Sequence, residues 1–166
     1  MMKKISLALL LAASLSACSP QYDWRDYRSN DAPYAVLFPG KPATQTRSIK
    51  LDQLDVNMTM AAAEVDGVIF AVGSAQLQDA ALAPAAIEAM KTALVNNIGA
   101  TVTSSKSNAA GALDVEATGT QNGEAMRLIG RFIAKDKRIY QVIVMGRSKN
   151  IVQDHVDTYL SSFKLN

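Results

Sequence analysis

The sequence predicts an α+β fold, an antiparallel sheet with two main helices packed on it. Three observations carry the prediction. From residue 34 onward most of the chain alternates polar and apolar residues with a period of two. Turn dipeptides of the hairpin kind separate these stretches. Only two segments, one in mid-chain and one near the C-terminus, change to helical spacing. Strands joined as hairpins and interrupted twice by helices belong to the α+β class.

Taken in order, Tyr34–Phe38 is a short apolar strand, stopped by Pro39-Gly40-Lys41-Pro42. Prolines on both sides of a glycine form a turn and cannot sit in a central strand. Gly40-Lys41 lacks the spacer, second glycine and helix context of a phosphate loop. Two alternating stretches follow, Thr46–Leu51 and Val56–Glu64, on either side of Asp52-Gln53-Leu54-Asp55. Asp66-Gly67 is a hairpin signal, and Val68–Leu77 is the partner strand. Over 84–98, Ile87, Met90, Leu94 and Ile98 form one helical stripe. Pro84 suits the first turn of that helix and Gly99 its stop. Alternation resumes over Ala100–Ser105, Ala112–Thr118, Glu124–Ala134 and Arg138–Gly146, with turns at Asn122-Gly123 and Lys135-Asp136-Lys137. A last helix is expected over about Lys149–Ser161, with Val152, Val156, Tyr159 and Leu160 on one side; Phe163 and Leu165 form a closing segment.

The N-terminus has a different character. Met1-Met2-Lys3-Lys4 is cationic, an apolar run from Ile5 to Leu15 follows, and small residues close it. That is the layout of a secretory signal peptide, too short to span a bilayer. Leu15-Ser16-Ala17-Cys18 resembles the lipobox of bacterial lipoproteins. The resemblance implies cleavage before Cys18, a diacylglycerol thioether on its sulfur and acylation of its nitrogen, with residues 1–17 removed. Two or three acyl chains anchor stably where one holds only marginally. Ser19 stands where an inner-membrane retention signal would resemble Asp, so in a diderm organism the implied address is the outer membrane, facing the periplasm. Residues 18–33 are polar and read as the lipidated N-terminus and tether, leaving 34–166 as a single domain. Within that tether Tyr22, Trp24 and Tyr27 are expected to pack on the domain as a short first element rather than lie at the membrane interface.

Composition narrows the function. The net charge of +2 belongs to Lys3 and Lys4, so without the leader basic and acidic side chains balance. No basic footprint for nucleic acid remains. The single Cys excludes a disulfide framework and any thiolate cluster.

Catalytic candidates are few. His155 is the chain's one histidine, flanked by Asp154 and Asp157, and is expected to be a boundary residue held by its neighbours. Asp114 and Glu116 share a strand face, the pattern of a solvated surface more than of an acid/base pair. Met58 and Met60 share a face with Val56, which favours a core stripe over a Cu(I) thioether site. No catalytic residue, metal ligand or cofactor is therefore assigned. Bases gather in one hairpin: Arg127, Arg131, Lys135, Lys137, Arg138 and Arg147, with Lys149 just beyond. If they form one patch at an end and along a face, they would suit an anionic partner; the plainer alternative is a solvated sheet face.

The order of elements, with Phe38-Pro39-Gly40-Lys41-Pro42 after the first strand and a final helix running into Ser162-Phe163-Lys164, resembles the Mog1/PsbP-like domains. The whole chain, with Asp23-Trp24-Arg25 after the lipobox, also resembles an uncharacterised group of proteobacterial lipoproteins. The first resemblance implies an αβα sandwich and an adaptor or accessory role without chemistry of its own. It transfers no site residue. The expectation is a lipid-anchored, non-enzymatic envelope protein that binds another envelope component. The alternative is a carrier of a small hydrophobic ligand in a pocket between sheet and helix.

Overall fold

The computed structural model describes residues 21–166. Its strands are β1 (Arg25–Arg28), β2 (Tyr34–Phe38), β3 (Ala43–Leu51), β4 (Leu54–Val65), β5 (Val68–Gln76), β6 (Ala100–Ser107), β7 (Leu113–Gln121), β8 (Glu124–Lys135), β9 (Arg138–Arg147) and β10 (Lys164–Leu165). The helices are α1 (Ala83–Asn97) and α2 (Gln153–Ser162). The strands form two antiparallel sheets, a three-stranded one in the order β1-β2-β10 and a seven-stranded one in the order β3-β4-β5-β9-β8-β7-β6. The fold is α+β and mostly sheet.

The large sheet is two meanders joined at their last strands. β3-β4-β5 comes first, α1 carries the chain across, and β6-β7-β8-β9 returns until β9 pairs with β5. Those two strands lie in the middle and are covered on both faces, so they read as nearly unbroken apolar runs. The turns explain themselves locally. Asp52, Asp66, Asn122 and Asp136 all have positive φ, which short polar side chains tolerate best, and Gly67 and Gly123 supply the second left-handed residue of their turns.

Each face of the large sheet has its own cover. On one lie α2 and the small sheet, enclosing Val36, Phe38, Phe70, Val72, Val142, Val144 and Tyr159. On the other lies α1, over Leu51, Met58, Ala75, Phe132 and Ile139 near its start and Ala71, Ala117, Leu128 and Ile143 near its end. Period-two alternation sends successive residues to opposite sides, which is why Val142 and Ile143 belong to different cores.

Four expectations need correction. The tether expected over 18–33 is folded in its described part. β1 pairs with β2 from Arg25↔Phe38 to Arg28↔Ala35, a strand too short and polar for periodicity to reveal. The apolar side of α1 is wider than the expected stripe: Met90 and Ile98 are buried and Ile87 and Leu94 pack half-buried on the core, as expected, but Ala83, Ala86 and Val95 are buried beside them. The last helix starts later than expected, because Ser148–Asn150 makes a separate 3-10 turn. Val152 is then the extended residue before α2, and it is exposed instead of packed.

Candidate functional site

The side chains of β3 alternate strictly, so Gln45, Arg47, Ile49 and Leu51 face α1. Along that row polarity falls: Gln45 and Arg47 are exposed, Ile49 is half-buried and Leu51 is buried. Register places Met60 opposite Gln45 and Met58 opposite Arg47. The Gln45–Met60 rung continues through Gly73 on β5 to Gln141 on β9. Between this surface and the Met90, Ala93, Leu94 and Asn97 side of α1 lies a groove of about 300 Å³. That is the small end of the range for ligand sites, and its lining is predominantly apolar, with a few polar groups as such sites carry.

Gly73 shapes the floor. A Cβ there would lie 2.6 Å from Met60 Sδ and 2.8 Å from Gln141 Cγ, so both side chains lean over the glycine. In that position Gln141 Nε2 donates to Met60 Sδ at 3.6 Å. A thioether is a weak acceptor, so this nearly buried amide keeps most of its donor capacity. At the rim, Arg47 makes no ion pair among the described residues. The groove thus has an apolar floor, flexible methionine walls and two donors without a strong acceptor.

The opposite face is packed with aromatic rings. Phe70 packs edge-on against Tyr159 at 5.2 Å between ring centroids, and Tyr34 stacks on Phe163 at 5.5 Å. Tyr22, Trp24 and Tyr27 join this core, as expected for aromatics that pack on the domain. Tyr22 lies over His155, with ring centroids 3.8 Å apart, and meets Phe70 edge-on. His155 is therefore held by aromatic rings, not by Asp154 and Asp157, and its Nδ1 is buried without a partner among the described residues. Tyr159 Oη is likewise buried and unpartnered among them, and burial pushes this phenol far above its ordinary range. Burial also raises Tyr34 strongly, and Tyr22 and Tyr140 to a lesser extent.

The bases of the β8–β9 hairpin do not form one patch. Arg131 pairs with Asp114 through two hydrogen bonds, Nε to Oδ1 at 2.7 Å and Nη2 to Oδ2 at 3.2 Å. Arg127 Nη2 donates to Glu116 Oε2 at 3.2 Å and to Gln153 Oε1 of α2 at 3.3 Å. Asp114 and Glu116, expected on an open solvated face, are therefore partners of arginines beside α2. Lys135, Lys137 and Arg138 cluster at the hairpin turn, where Arg138 also donates to Gln76 Oε1 at 2.7 Å. Arg147 lies opposite Met126 at the other end, roughly 30 Å away at about 3.3 Å of rise per residue.

Leu15, Ser16, Ala17 and Cys18 lie outside the described residues. Among the described residues no three His, Cys, Asp or Glu side chains converge as a metal site would require, and no helix is long and apolar enough to cross a membrane. Met58 and Met60 do line one surface, and Met90 joins them there. Sequence reasoning missed Arg47, Gln141 and Met90 as groove residues. Gln141 had a readable signal, being the single polar residue within Ile139–Met145.

No protein-family model matches the chain, and neither does any curated protein.

Proposed function

We propose that this chain is a lipid-anchored cell-envelope protein whose domain works by binding and carries out no chemistry of its own. The anchor reading rests on the cationic start, the apolar run and Leu15-Ser16-Ala17-Cys18. Outer-membrane residence facing the periplasm, in a diderm organism, follows from Ser19 under the same resemblance. A Mog1/PsbP-like αβα sandwich is in keeping with a sheet that has a helix on each face.

One observation carries the binding reading, the groove between α1 and the β3–β4 hairpin. It favours a carrier of a small hydrophobic ligand over an adaptor that meets an envelope protein through its surface. Two experiments separate the parts. Cys18→Ala abolishes palmitate labelling and releases the protein from the membrane fraction; a variant still retained there refutes the anchor. In-cell cross-linking of the native lipoprotein yields no stoichiometric protein neighbour if it is a carrier. A single abundant neighbour joined through the β8–β9 hairpin restores the adaptor.

A further inference from the structure

We infer that the groove takes a single-chain amphiphile with an anionic head, such as an alkyl carboxylate, and that Arg47 selects the head. The inference rests on the binding reading above and adds the chemistry of the ligand. Three features of the groove point the same way.

The first is size. At about 300 Å³ the groove is an open trough at the small end of the range for ligand sites, which suits a narrow ligand such as a single acyl chain.

The second is the lining. Met58, Met60 and Met90 are unbranched and polarizable, and such side chains adapt to a flexible chain where rings would impose a shape. Leu94 of α1, itself half-buried, lines the groove with them. The third is the gradient of polarity. Because Arg47 faces the same side as Ile49 and Leu51, a chain lying toward the buried end leaves its head beside the guanidinium. The guanidinium makes no ion pair within the described residues, and its planar fork matches a carboxylate. Gln141 Nε2 offers a second donor on the floor, now occupied only by the Met60 thioether. No carboxylate lines the groove to repel an anion.

Arg47 is exposed on the edge strand β3, so replacing it leaves the core untouched. The test uses the full lipoprotein in lipid discs and two photoreactive probes, a diazirine-bearing dodecanoic acid and the matching alcohol. Peptides carrying residues 45–60 or 90–97 should take up the acid about tenfold more than the alcohol, the discrimination expected of one charge-assisted contact. Arg47→Ala should bring the acid down to the alcohol's level, and Arg47→Lys should restore most of the difference. Equal labelling by acid and alcohol, unchanged in Arg47→Ala, would overturn the anionic head while leaving a binding groove. Absence of labelling by both probes on those peptides would instead overturn the groove as a binding site.

Discussion

The two faces of the seven-stranded sheet are made of different material. Every aromatic ring in the chain except Phe132 packs on the face under α2 and the small sheet. Apart from Phe132, the face under α1 is filled by methionine, leucine, isoleucine, valine and alanine. Rings are large and rigid, and edge-to-face contacts lock them to one another. Alanines and methionines cover area without fixing shape, and where α1 leaves the β3–β4 hairpin they leave a groove. One face is therefore locked by rings, while the other, under α1, is filled by more adaptable side chains and carries the proposed binding groove.

The contrast is easiest to break at its ring core. Phe70→Ala, at the contact of β5 with Tyr22, Trp24 and Tyr159, should cost about 3–5 kcal/mol in urea unfolding. Met60→Ala on the other face deletes a half-buried side chain beside open space and should cost no more than about 2 kcal/mol, the low end for such deletions. Equal costs would mean that the faces are packed alike.

A smaller effect has the opposite sign. Tyr159→Phe removes a buried hydroxyl without a partner and should stabilise the protein by about 1 kcal/mol at neutral pH. Burial raises the Tyr159 and Tyr34 phenols above their unfolded value of about 10. Protons are then held more tightly in the folded state, so stability is fully present below about pH 10 and falls as pH rises beyond it. Tyr159→Phe should make that alkaline loss shallower, as read from unfolding at neutral and alkaline pH. A loss as steep as in the parent would remove Tyr159 from the account.

The smallest effect concerns the polar seam beside α2. A double-mutant cycle on Arg131 and Asp114 should return about 0.2–1 kcal/mol, because both side chains are partly exposed. A coupling near zero would reduce the pair to a surface ornament.

Much of this was legible beforehand, for reasons particular to each element. Asp66-Gly67 and Asn122-Gly123 need left-handed backbone, so their hairpins announce themselves. The alternation in β8 anticipates two differently covered faces. β1 was hidden because its four residues, Arg-Asp-Tyr-Arg, carry no apolar alternation, and pairing with β2 alone makes it a strand. Whether the hairpin bases form one patch or lie along a solvated face stays open in the sequence, because it depends on β8 and β9 being long enough to separate Arg147 from Lys137. The groove was foreseeable as a gap between sheet and helix but not in its residues. It depends on Gly73 allowing Met60 and Gln141 to lean together from two other strands, a three-strand coincidence that no local pattern encodes.

The most direct test of a ligand groove under α1 uses the methionines. Carbon-13 labelling of the methyl groups gives Met58, Met60 and Met90 as reporters in the groove, and Met126 and Met145 as reporters outside it. On titration with decanoate, the first three resonances should move together and saturate while the other two stay in place. Uniform movement of all five, or saturation without movement at Met58, Met60 and Met90, would contradict the account.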